Sequence, residues 1–209
     1  MITEDTINDI KIKHRGDFIT LFRIFKKDDR LLKSQQMWSA IILTVICSHI
    51  IFGNCNPVSV LNILSKLVER ILSVLPNILG FTLTGYVLIV GIGWSEFLDT
   101  ITDQDDSGYS LFQQISSIFA WGTIIQSSTL IISYIISLIR DIKISTQYAN
   151  TINDIILLLI MFLSFYSLFL VIKLVINVFH YGQLVQYFYT EKKLIEKIKE
   201  QEKAQGNKQ

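Results

Sequence analysis

Apolar residues in this chain gather into long uncharged runs, not short alternating stretches. Met37 to Gly53, MWSAIILTVICSHIIFG, is 17 residues without a formal charge, the lower limit for a helix that crosses a bilayer. A second run, Ile78 to Leu98, reaches about 31 Å at a rise of ~1.5 Å per residue. A third covers Phe119 to Ile139 and extends back toward Leu111, and a fourth runs from Ile155 to Phe179, interrupted by Lys173. Backbone groups in hydrocarbon must bond within their own segment, and none of the runs alternates like a barrel strand. The pattern therefore predicts an all-α polytopic membrane protein. Its core is a bundle of four transmembrane helices, at about 37–53, 78–98, 115–139 and 155–179.

Two flanking stretches are amphipathic. Over 58–75, Val60, Leu61, Leu64, Leu67, Val68, Ile71, Leu72 and Leu75 repeat with helical spacing, opposite Asn62, Ser65, Lys66, Glu69 and Ser73. Pro76 marks the boundary with the next span, so 58–75 is expected as a separate helix on the outer bilayer surface or against the bundle. Within the N-terminal arm, 1–36, Phe18, Leu21, Phe22 and Phe25 share one face, surrounded by Arg23, Lys26, Lys27 and Arg30. A basic, Phe-rich helix before a span suits the anionic inner leaflet, or an anionic ligand or regulatory protein.

Charge then orients the bundle. The two ends, 1–36 and 181–209, hold fourteen Lys and Arg, against four in the first and third connections, Lys66, Arg70, Arg140 and Lys143. Both termini are thus expected on the cytoplasmic side, with 183–209 as a charged helical tail. Lys173 then falls near the inner end of the last span, within snorkelling reach of headgroups. The composition agrees: mean hydropathy is +0.43, and 18% of residues are charged. A formal net charge of +1 gives no reason to expect direct DNA reading.

Polar residues inside the spans carry the functional expectation. Ser116, Thr123, Gln126, Ser133 and Ser137 fall on one face of the third span. Lipid does not select such a face, so it serves either as interhelical hydrogen-bonding glue or as a pore lining in an oligomer. On the second span, Gly80, Thr84 and Gly91 make a small-residue seam for close helix packing. Glu96, Asp99 and Asp103 follow at i, i+3 and i+7, an acidic mouth that becomes a ring in a symmetric assembly. His49, inside the first span, is expected as a neutral imidazole bonded to a neighbouring helix.

Catalytic and metal signatures do not stand out. The chain has no phosphate-binding Gly-rich loop, no Cys-x-x-Cys, no His-Glu-x-x-His and no Gly-x-Ser-x-Gly. Asp103 to Gly108 opens like a calcium-binding loop, but its twelfth position is Gln114, not a bidentate Glu. No enzyme, cofactor or metal is expected.

The segment Leu75-Pro76-Asn77-Ile78-Leu79-Gly80-Phe81-Thr82-Leu83-Thr84-Gly85-Tyr86, together with the overall layout, resembles small multi-spanning membrane effectors of bacterial anti-phage defence, of the Hailong and Kiwa membrane-component type. The resemblance covers one Gly-rich helix plus the span count. It implies a homo-oligomeric effector of the bacterial inner membrane that answers a cytosolic protein or nucleotide signal by breaching the bilayer. Together these readings point to a gated channel or membrane-permeabilising effector. The alternative is a membrane anchor that recruits a soluble partner protein.

Overall fold

A computed structural model describes residues 17–29, 34–54, 57–91, 109–139 and 149–206. These residues form helices α1 (Phe18–Asp29), α2 (Gln35–Asn54), α3 (Pro57–Gly91), α4 (Leu111–Ile139) and α5 (Ala149–Gly206). Four of them, α2 to α5, are long and apolar enough to cross a membrane.

Local chemistry starts each helix. The Asp17 carboxylate accepts the Thr20 N–H at 2.8 Å, capping α1. Pro57 opens α3, where a missing N–H costs nothing. At α4, Ser110 Oγ accepts the Gln113 N–H at 3.2 Å while Gln113 Oε1 accepts the Ser110 N–H at 3.0 Å, a reciprocal capping box.

Packing contacts give the topology. Cys47 and Ile51 of α2 lie in one cluster with Leu157 and Met161 of α5, and Ala40 lies with Leu170, so α2 and α5 are antiparallel. Helix α4 is antiparallel to both of its main neighbours. Gly85 of α3 approaches Phe119 and Ile78 lies with Leu130, while Gly122 approaches Leu174 and Thr129 meets Ser167. Val60 and Leu64 pack with Leu157, and the Tyr181 hydroxyl donates to Ile89 O at 3.0 Å, so α3 and α5 run parallel. The four long helices form an up-down-up-down bundle.

Two boundaries and one packing contact differ from the sequence pattern. The break expected at Pro76 is absent: α3 continues through Pro76 for 35 residues. The stretch 58–75 is therefore no separate interfacial helix. Its stripe of Val60, Leu64, Val68, Ile71 and Leu75 is buried in the bundle, because α4 and α5 extend far enough to cover it. Likewise the last span and the charged tail are one 58-residue helix, α5. Finally, α1 docks on the bundle. Phe25 is 1% exposed in a cluster with Ile89, Ile118 and Leu174, and its ring stacks on Trp121 at 5.0 Å. Lys173 sits 5.7 Å above that ring, a cation–π contact. The buried face of α1 is Thr20, Ile24 and Phe25, whereas Phe18, expected on the apolar side, is exposed.

Candidate functional site: an inner polar seam and an outer polar row

The polar face expected on the third span turns inward. Gln126, Thr129 and Ser133 of α4 are fully buried, as is Ser167 of α5, which meets Thr129 from the facing helix. Thr129 Oγ1 lies 3.2 Å from Ser167 Oγ and donates its proton to Ile125 O at 2.7 Å, which leaves Ser167 as the donor across the interface. That bond is interhelical glue. Neither amide atom of Gln126, nor Ser116 Oγ, Ser133 Oγ or Asn177 Nδ2, has a hydrogen-bond partner. Thr123 is half-buried and donates back to Phe119 O at 2.9 Å, and Ser137 is half-buried. Within the single chain the polar side-chain atoms of Ser116, Gln126 and Ser133 are enclosed. Helical periodicity places them on one face; Gln126 and Ser133 are covered by the chain's own helices, whereas Ser116 is half-buried and borders a groove beside α1.

The small-residue seam lies on the outside of the single chain. Gly80, Thr84 and Gly91 are exposed, and a Cβ added to Gly80 or Gly91 meets nothing within 4 Å. The close approaches lie elsewhere: a Cβ on Gly85 sits 3.4 Å from the Phe119 ring, and one on Gly122 sits 3.2 Å from Leu174 Cδ1.

Seen from outside, these exposed small residues belong to a longer row on α3. Asn62, Lys66, Glu69, Ser73, Asn77, Gly80 and Thr84 are all exposed and follow one another at intervals of three or four, so they share one face. The row is about 33 Å long at ~1.5 Å per residue, the thickness of a hydrocarbon core. Its lower polar members fold onto their own helix, with Thr84 donating to Gly80 O at 2.9 Å and Asn77 to Ser73 O at 3.5 Å. Its upper part is charged, and Arg70 is exposed beside it. The intervening Leu64 and Val68 pack with Leu157, Met161 and Ile136, which sets Lys66 and Glu69 level with the outward apolar surfaces of α4 and α5. There Ile135, Leu138 and Leu159 are 48%, 61% and 47% exposed. Both halves of the row are visible in the sequence, but a division at Pro76 separates them.

Of the remaining candidates, Arg23 is exposed on α1, which also carries Lys26 and Lys27. Arg30 and the acidic Glu96, Asp99 and Asp103 lie outside the described residues. His49 is exposed on α2 and not enclosed against a neighbour. Among the described residues no three His, Cys, Asp or Glu converge as metal ligands.

No protein-family model, curated protein or solved structure matches this chain.

Proposed function

We propose that the chain is one subunit of a homo-oligomeric channel or permeabilising effector in the bacterial inner membrane, with both termini cytoplasmic and a cytosolic ligand or partner as the gate. The outer row of α3 carries this reading. An ionised side chain costs about 2.5–3.5 kcal/mol at the centre of a span on insertion scales, and less toward the interface. A lone Lys66 could reach the headgroups by snorkelling. Snorkelling does not account for a row that continues through Glu69, Ser73, Asn77 and Thr84. Copies arranged about an axis would turn these rows toward one another and toward water, stacking Lys66 and Glu69 into rings of alternating sign. The acidic connection with Glu96, Asp99 and Asp103 follows α3 and forms the inner mouth in this arrangement. The resemblance to defence effectors supplies the setting and the signal.

Flux through proteoliposomes of the purified chain tests the proposal. In a background with Cys47 and Cys55 changed to Ala, Asn77→Cys and Thr84→Cys should react with water-soluble thiol reagents and lose flux on modification. Glu69→Gln should alter cation preference. Protected thiols at both positions with flux unchanged would sink the reading.

One observation favours the anchor alternative. Beyond Tyr181, α5 continues to Gly206 with Leu194, Ile195 and Ile198 exposed, a helical face available to a soluble partner. A chain that carries no flux, yet loses function on removal of 190–209, would support it.

A further inference from the structure

Helix α1 has two unlike faces. It docks through Thr20, Ile24 and Phe25, with Leu21 half-buried beside them. The face turned away from the bundle starts with Ile19 and Phe22, 67% and 36% exposed, and Phe18 at its edge is 60% exposed. Arg23 is exposed on the same face. Lys26 completes the spacing i, i+3, i+4, i+7 that puts Ile19, Phe22, Arg23 and Lys26 on one side of the helix. An apolar first half and a cationic second half suit a helix lying in a membrane interface.

Trp121 sets the depth of this face. Its ring lies 5.8 Å from that of Phe22 and 5.0 Å from that of Phe25. Trp121 also packs against the cluster of Ala40, Tyr166 and Leu170, as does Met37, and Met37 opens the uncharged run of α2. Helix α1 is therefore level with the first turns of α2, where hydrocarbon gives way to headgroups. The Lys173 ammonium above the Phe25 ring marks the same boundary. Charge then narrows the occupant. From Arg23 to Lys33 the sequence holds five basic residues against two acidic ones, Asp28 and Asp29, so this segment is attracted to an anionic leaflet. An acidic soluble protein would match the cations, but not an apolar half at the depth of a span.

We propose that the outward face of α1 seats an anionic phospholipid of the leaflet nearest the termini, with Ile19 and Phe22 against its acyl chains and Arg23 and Lys26 on its phosphate. That leaflet is the cytoplasmic one in the orientation proposed above, but the seat itself requires neither that orientation nor conduction.

The test uses the full chain in nanodiscs, with Cys47 and Cys55 changed to Ala and a bimane label on Ile19→Cys. Phosphatidylcholine and phosphatidylglycerol with brominated chains serve as quenchers. Both leaflets have the same composition and no flux is read, so the outcome is separate from that of the channel proposal. Brominated phosphatidylcholine should quench the label, because this face meets acyl chains. Brominated phosphatidylglycerol at equal mole fraction should quench more, with a relative affinity about fivefold higher for each cation engaged. Added salt should shrink that preference. Arg23→Gln with Lys26→Gln should make the two lipids equal while leaving quenching by phosphatidylcholine unchanged. The same label on Ile135→Cys, toward the far end of α4, should show no preference. Should the double variant fail to fold, the salt titration and the Ile135 comparison still decide. A label that neither lipid quenches would put a neighbouring copy or a soluble protein on this face and overturn the proposal. Equal quenching by the two lipids at Ile19, a preference that survives the double substitution, or the same preference at Ile135 would overturn it as well.

Discussion

An amide without a partner destabilises the fold that encloses it, and Gln126 offers a carbonyl and an NH2 group in that condition. The full desolvation penalty of such a group is about 1–3 kcal/mol. Leucine has nearly the same reach and no polar atoms. Gln126→Leu is therefore expected to raise the resistance of the bundle to thermal or SDS unfolding by about 1–3 kcal/mol. A drop in stability would reveal a bond made by Gln126 that the structure lacks. Thr129 supplies the contrast, because its hydroxyl is matched both to Ile125 O and to Ser167. Thr129→Val should cost about 1 kcal/mol in the same measurement.

Among elements, the glycines separate packing inside the chain from packing outside it. Gly122 faces Leu174 Cδ1 at 3.2 Å from a built Cβ, so Gly122→Leu should force α4 from α5 and destabilise the monomer. Gly80 meets nothing, so Gly80→Leu should leave the monomer folded and act only on assembly, read by cross-linking and native mass spectrometry. Unfolding of the Gly80 variant would place that glycine in the core. The apolar runs of the four spans are legible in the sequence because hydrocarbon demands continuous apolar surface. Direction is less legible. Periodicity shows that Ser116, Gln126 and Ser133 share a face and that Gly80 and Thr84 share another, but not which face a third helix covers. Helix α3 hides for a related reason. Its first half is amphipathic, as surface helices are, and the bond lost and the clash made at Pro76 are offset by packing on both sides of it. The docking of α1 depends on Trp121 and Lys173, distant in sequence, and no local pattern around Phe25 announces it.

For the whole molecule, the charge asymmetry of fourteen Lys and Arg at the ends against four in the first and third connections makes a definite expectation. Single cysteines placed after residues 36, 105 and 195 should react only from the cytoplasmic side, and those after 57 and 147 only from outside. An external reaction at 105 would break the four-span arrangement. A mechanical consequence follows from α5. Near the end of the bundle it is pinned by the Tyr181 hydroxyl on Ile89 O, and Leu184, Val185 and Phe188 of the next turns still pack on the cluster of Phe25 and Ile89. The helix beyond Phe188, to Gly206, is a lever arm of roughly 27 Å with its fulcrum at that packing. A tilt of about 20° there swings the tip by roughly 9 Å. Force applied near Leu194 and Ile198 is thus returned, through that packing, to α1 and to the Ile89 end of α3, the helix that carries the row from Asn62 to Thr84.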